Sequence, residues 1–259
     1  MLMLNPYCGI DRDPRGVVRL VICDAGPLNI LGSAAIDGVR EGLQALANER
    51  EIRVLVIAGQ SERSMIGGAD IKEMAKLDQA SAEKFITGLR DLCEAVRNFP
   101  APVIARMPGW CLGGGLEVAA ACDFRVAAHD AKFGMPEVRV GIPSVIHAAL
   151  LPRLIGWGRT SWLLLTAENI DAATADRWGM VEQVVPVAGL DAAVGRCVDS
   201  IVEATPLAVR AQKRLMRRWE RLPLDEAVQA GIDAFAQSVS DGEHLERMTA
   251  FVNRKRMKG

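Results

Sequence analysis

Apolar and polar positions follow two rhythms along this chain. Residues 17–23 form an apolar, β-branched run that predicts a strand, and Asp24-Ala25-Gly26-Pro27 ends it in turn residues. Helical spacing follows, with Ile36, Val39, Leu43 and Leu46 on one stripe and Ser33 as the expected N-cap. Residues 53–58 predict a second strand, continuously apolar rather than alternating, as burial of both faces requires. A polar loop then leads into Met65-Ile66-Gly67-Gly68-Ala69-Asp70-Ile71-Lys72-Glu73-Met74. A helix over 81–98 aligns Phe85, Leu89, Leu92 and Val96. Strand, helix, strand, helix in succession predicts an α/β fold.

The next strand, over 102–105, runs into Trp110-Cys111-Leu112-Gly113-Gly114-Gly115-Leu116-Glu117, continued by an Ala-rich helix to Asp123. Short strands are expected over 124–127 and 131–133, a turn at Gly134-Met135-Pro136-Glu137, and a further helix after Gly141-Ile142-Pro143-Ser144. Beyond Gly158 the pattern becomes mostly helical, over 160–166, 172–178, 190–203, 206–220, 224–236 and 242–255. Only 181–185 reads as a strand there. The expectation is an α/β core over 1–200 followed by a helical region over 201–259, with no linker, repeat or low-complexity segment between them.

Composition narrows the class. Half of the 259 residues are apolar, and the net charge of -1 directs the chain toward neither nucleic acid nor a membrane surface. No apolar run approaches the ~20 residues of a membrane span. The first fifteen residues carry Asp11 and Asp13 and lack the pattern of a signal or transit peptide. Six scattered cysteines, with no C-x-x-C pair, suit reduced buried thiols. A cytoplasmic enzyme is the expectation.

The candidate chemistry lies in two glycine-rich loops, each following a buried strand and opening toward a helix. Free N–H groups at a helix start favour an oxygen carrying negative charge. If adjacent parallel strands deliver both loops, the N–H groups of Ala69 and Gly114 converge on one oxygen, with Glu117 and Glu137 as the carboxyls nearby. Such a site suits an enolate formed from a thioester carbonyl, with proton movement on the adjacent carbons. The alternative for the second loop alone is a glycine-rich turn followed by a surface glutamate.

Three segments, Ile66 to Met74, Gly113-Gly114-Gly115-Leu116-Glu117 and Phe133-Gly134-Met135-Pro136-Glu137, in this order and spacing, resemble the crotonase (enoyl-CoA hydratase/isomerase) family. The resemblance runs from about Val17 to Lys255. It implies a core of repeated ββα turns, a C-terminal trimerisation region, and a homotrimer or dimer of trimers. It places the oxyanion hole on Ala69 and Gly114 and the acid–base pair on Glu117 and Glu137, as hydratases need, with Glu117 ionised and Glu137 protonated. Leu28, Gly67, Gly68, Asp70, Ile71 and Gly113 are the expected substrate contacts around the oxyanion hole. Trp110, Met135, Pro136 and Ser144 are further expected substrate contacts, and a backbone N–H near Ser144 would help hold the reacting water. Phe251 and Arg254 would reach the CoA of a neighbouring subunit. The implied substrate is an acyl-CoA, and no metal or redox cofactor is implied. Isomerase or thioester hydrolase activity, or a CoA- or RNA-binding paralogue without turnover, are the alternatives.

Some positions depart from the family pattern. Met65 replaces a Phe, Arg247 replaces a glycine, and the stretch from Glu137 to Pro143 is one residue shorter. His147, just beyond it, is expected as a polar residue on the pocket rim rather than a proton carrier. Cys111 has no base nearby to activate it and is expected as a small core residue. Trp110, Leu116 and Met135 suit either the acyl site or the core. Arg210, Arg214, Arg217 and Arg221 share a stripe that admits nucleic acid. Glu220, Asp225 and Glu226 beside it favour a solvated or subunit-contacting face.

Overall fold

A computed structural model of the chain describes residues 1–256, with side chains through Asn253. The chain opens with strands β1 (Leu2–Asn5), β2 (Cys8–Asp13), β3 (Val17–Ile22) and β4 (Ile30–Leu31), then helix α1 (Ser33–Ala47). Strands β5 (Val54–Gly59), β6 (Ser64–Ile66) and β7 (Gly68–Ala69) precede helices α2 (Ile71–Met74) and α3 (Gln79–Arg97). Next come β8 (Val103–Met107), β9 (Trp110–Leu112), α4 (Gly114–Ala121), β10 (Phe124–Ala128) and β11 (Lys132–Gly134). Two 3₁₀ turns, Glu137–Val140 and Ile146–Leu150, lead to α5 (Leu151–Ile155) and α6 (Trp157–Thr166). The remainder is β12 (Ile170–Asp171), α7 (Ala172–Trp178), β13 (Gln183–Val185), α8 (Leu190–Glu203), α9 (Pro206–Trp219), α10 (Leu224–Ser240) and α11 (Glu243–Arg256).

The seven-stranded sheet has the order β1-β2-β3-β5-β8-β10-β13, antiparallel at β1 to β3 and parallel from β3 onward. A second sheet, β12-β11-β9-β6, lies apart from it. The repeat is therefore a strand in the large sheet, a strand in the small one, then a helix, as in β5-β6-α3 and β8-β9-α4. Strand β5 is apolar at every position because it is covered twice. Leu55 and Ile57 join the main core, whereas Val54 and Val56 pack with Ile104, Val126 and the Leu190, Ala193 and Val194 face of α8.

Three expectations are corrected here. The hairpin β1-β2 has no counterpart in the expected element list; its outer strand lies at the sheet edge and is mostly exposed. Ser33 starts α1 rather than capping it. Its N–H donates to Glu73 Oε2 at 3.0 Å, its hydroxyl also bonds Glu73, and Gly32 holds the cap position. The arginine stripe of α9 is turned partly inward. Arg210 donates to the carbonyls of Arg50 and Ile52, and Arg217 to Asp123 and the carbonyl of Arg97. The buried Lys213 adds a bond to Asp123 at 2.6 Å, so α9 is tied to the end of α4 by paired charges. No helix among the described residues is long and apolar enough to cross a membrane.

Candidate active site

A cavity of about 180 Å³ opens between the two glycine-rich loops. Its polar end is formed by Gly67, Gly68, Ala69, Gly113, Gly114, Glu117, Pro136 and Glu137. The first loop is clamped at both sides, Gly67 N–H donating to the carbonyl of Leu28 and Asp70 N–H to that of Leu31. Leu28 thus holds the loop through its backbone and does not line the cavity. Asp70 caps α2, accepting from the N–H groups of Lys72 and Glu73. Ile71 lines the cavity.

The second loop comes from β9. Gly113 N–H donates to the carbonyl of Gly134, and Gly114 opens α4, where its N–H has no acceptor one turn back. Close approach explains two of these glycines. A Cβ on Gly115 would lie 2.3 Å from the Ile66 carbonyl oxygen, so only glycine lets α4 rest on β6 and bring the loops together. At Gly113, with φ 51°, a Cβ would lie 2.5 Å from Glu137 Oε1.

Glu117 is 4% exposed on the first turn of α4. Its Oε1 accepts the N–H of Ala148 at 2.9 Å. Burial pushes its carboxyl up to about 8, and the charge of Glu137 adds to this, while the Ala148 N–H opposes it. Glu137 begins the 3₁₀ turn that follows β11, half-buried, and accepts the Ser144 hydroxyl on Oε2 at 2.8 Å. Burial raises this carboxyl too, against its own N–H and the Ser144 hydroxyl. Both carboxyls are therefore raised by burial, and Glu117 is the more enclosed of the two.

The rest of the cavity wall is mostly apolar, built by Ile71, Met74, Phe85, Ile86, Leu89, Leu112, Val140, Ile142, Pro143 and Val145, and Ser144 does not line it. Phe85 and Leu89 belong to the stripe on α3 expected to face the core; periodicity marks a buried face without saying whether a neighbour or a cavity lies against it. Arg139, also on the wall, sends its guanidinium to the Thr166 carbonyl. Trp110 and Met135 do not line the cavity. Trp110 lies 39% exposed on β9, and Met135 is fully buried in the core. His147 is not on the rim either, because the 3₁₀ turn carries it inward, where Nε2 meets Glu94 Oε1 at 3.0 Å. Cys111 is buried and its thiol is pushed up by that burial, which suits core packing. Phe251 lies exposed on α11, away from this cavity. The side chain of Arg254 lies outside the described residues.

The family model described as Enoyl-CoA hydratase/isomerase matches residues 12–258. This chain belongs to that family. It is 33% identical over 233 residues to a short-chain-enoyl-CoA hydratase of Clostridium acetobutylicum, covering 90% of this chain and 89% of that one. It is 34% identical over 230 residues to a crotonyl-CoA hydratase of Syntrophomonas wolfei, with 88% of each covered. The crystal structure of an enoyl-CoA hydratase from Mycobacterium smegmatis superposes with a TM-score of 0.93 at 30% identity, covering 96% of this chain and 97% of that one. The fold is accordingly the crotonase fold of the enoyl-CoA hydratase/isomerase family, with its mixed α/β core and C-terminal helices.

Proposed function

We propose that the protein is an enoyl-CoA hydratase, adding water reversibly across the 2,3-double bond of an acyl-CoA thioester. One observation carries this reading: the buried carboxyl of Glu117 and the half-buried one of Glu137 share a cavity with two glycine-rich backbone loops. The thioester oxygen accepts from the N–H groups of Ala69 and Gly114, which stabilise the enolate as charge develops. Gly67, Gly68 and Gly113 let the backbone approach that oxygen, and Ile71 and Pro136 bound the reacting carbons. Burial raises both carboxyls and the charge of Glu137 adds to the rise at Glu117, so the pair titrates in coupled steps. In the working order Glu117 is ionised and Glu137 carries the proton. Glu117 then takes a proton from the water attacking C3, and Glu137 delivers one to C2. The apolar wall suits a hydrocarbon acyl chain. This chemistry needs no metal or redox cofactor.

The C-terminal helices of 201–259 are assigned to assembly as a homotrimer or dimer of trimers. Leu224, Val228, Ile232, Phe235 and Val239 recur at helical spacing on α10, all exposed in the single chain, which supports a buried subunit face. Phe251 and Arg254 are assigned to the CoA of a neighbouring subunit. The six free cysteines suit the reducing cytoplasm.

Loss of the 2,3-enoyl absorbance with crotonyl-CoA and with longer and branched enoyl-CoAs, read beside free CoA release, tests the reaction. Hydration with CoA retained supports the reading. Release of CoA makes the protein a thioester hydrolase, double-bond migration without hydration makes it an isomerase, and CoA binding without turnover makes it a binding paralogue.

A further inference from the structure

His147 is 7% exposed, does not line the cavity, and is used by no step above. Its Nε2 lies 3.0 Å from Glu94 Oε1 on α3, and its Nδ1 has no hydrogen-bond partner among the described residues. Asn98, one turn further along, donates to the other oxygen of Glu94 at 2.8 Å and fixes that carboxylate in place. The residue after His147 is Ala148, whose N–H holds Glu117. The residue before it, Ile146, has φ 34°, a left-handed conformation that a β-branched residue adopts only when its surroundings impose it.

We propose that His147 and Glu94 are a positioning pair, anchoring the strained 146–148 backbone to α3 so that the Ala148 N–H stays on Glu117. This rests on the hydratase reading for its kinetic consequence, though not for its geometry. Three elements pack against the turn. From α3 come Cys93, Glu94 and Arg97; α4 brings Glu117; and α5 carries Arg153, whose guanidinium bonds the Glu220 carbonyl. Arg97 is paired with Glu220, and burial holds the Cys93 thiol neutral. Burial also lowers His147, against the pull of Glu94 toward the charged form. The imidazole is therefore neutral, donating Nε2–H to the carboxylate, and the tie is a hydrogen bond rather than a charge pair.

The sign of one shift separates positioning from bulk electrostatics. The Ala148 N–H lowers the Glu117 carboxyl, so releasing it raises that carboxyl. Deleting the negative charge of Glu94, or letting water in beside Glu117, would lower it instead.

The test uses Glu94→Ala, whose side chain is partly exposed, together with His147→Leu and His147→Gln. Titration of ¹³C-labelled glutamate carboxyls, with Glu117 assigned by its loss in Glu117→Gln, reads the site without turnover. The Glu117 midpoint is expected to rise by about one pH unit in Glu94→Ala and His147→Leu, and to stay near wild type in His147→Gln, whose amide still donates. On a hydrated enoyl-CoA, kcat falls about tenfold in the first two with KM nearly unchanged, because the ionised Glu117 is less populated. A Glu117 midpoint that stays fixed or moves down in Glu94→Ala overturns the proposal. Absence of hydration by the wild type overturns the hydratase reading and leaves the carboxyl titration to decide this one.

Discussion

The hydroxyl of Ser144 donates to Oε2 of Glu137 across 2.8 Å, linking the shortened segment after Glu137 to one of the two carboxyls. That bond favours the ionised form and works against the burial that raises the group. Ser144→Ala is expected to raise the Glu137 carboxyl further and, by loosening its position, to lower hydratase kcat about three- to tenfold, the net value of one ordinary hydrogen bond. KM should change little, and Ser144→Thr should restore most of the rate. Steady-state kinetics over pH on the three proteins checks this; a KM defect at constant kcat would move Ser144 from the carboxyl to the substrate.

Gly113 tests the same carboxyl by crowding. A methyl group there meets Glu137 Oε1, the far end of a side chain able to swing aside. Gly113→Ala should therefore cost far more activity than stability. The strained φ is worth about 1–3 kcal/mol of folding free energy, while kcat should drop roughly 100-fold as Glu137 leaves the site. Urea denaturation beside kcat measurement separates the two effects.

Burial of Glu117 has a consequence for stability as well as for catalysis. Its folded carboxyl lies at about 8, above the ordinary value of 4.5, so between those limits the native state binds more protons than the unfolded state. Its contribution to stability is fully present below about pH 4.5 and is lost as pH rises through about 8. The wild type should lose stability relative to Glu117→Gln over that window, by on the order of 3–5 kcal/mol at most. Denaturant midpoints of both proteins at pH 5, 7 and 9 give the comparison. Parallel slopes would show that Glu117 titrates where an exposed glutamate does.

Much of the site was legible because its chemistry is backbone chemistry. Gly67, Gly68, Gly113 and Gly114 mark close approach wherever they occur after a buried strand, and a carboxyl on the first turn of α4 or at the start of the turn after β11 is placed by sequence separation alone. Less legible were side chains whose role depends on the face they present. The arginine stripe of α9 has the periodicity of a solvated face, yet Arg210 and Arg217 reach core carbonyls, since long basic chains satisfy buried oxygens as readily as they meet water. His147 was misplaced for a related reason. A helix after Pro143 would aim it at the rim, whereas a 3₁₀ turn advances each residue by more than an α-helix does and turns it toward α3. The hairpin at the start is not legible because Leu2–Asn5 and Cys8–Asp13 lack alternation of their own, β2 taking its register from β3 and β1 from β2.

The mechanism stands or falls on the two carboxyls acting together. Hydration removes a proton from water and delivers one to C2, and the proposal divides these two tasks between Glu117 and Glu137. Activity should therefore hold while the pair keeps a proton to deliver and decline as pH rises past about 8, the value to which burial lifts Glu117. Glutamine keeps the size and hydrogen-bonding capacity of either residue but exchanges no proton. Glu117→Gln and Glu137→Gln should each lower kcat by roughly 100-fold or more, and each should abolish the alkaline decline assigned to the pair. The double variant should be much less than multiplicatively worse, because a site lacking either proton carrier has already lost the concerted path. A CoA thioester should still bind all three, since the groups proposed to hold its carbonyl oxygen, the N–H groups of Ala69 and Gly114, belong to the backbone. Rapid-quench turnover and thioester titration on the same preparations separate chemistry from binding. If either single variant hydrates at a near-normal rate, the two-carboxyl mechanism is wrong, and the isomerase and hydrolase readings, which need only one acid beside the oxyanion hole, take its place.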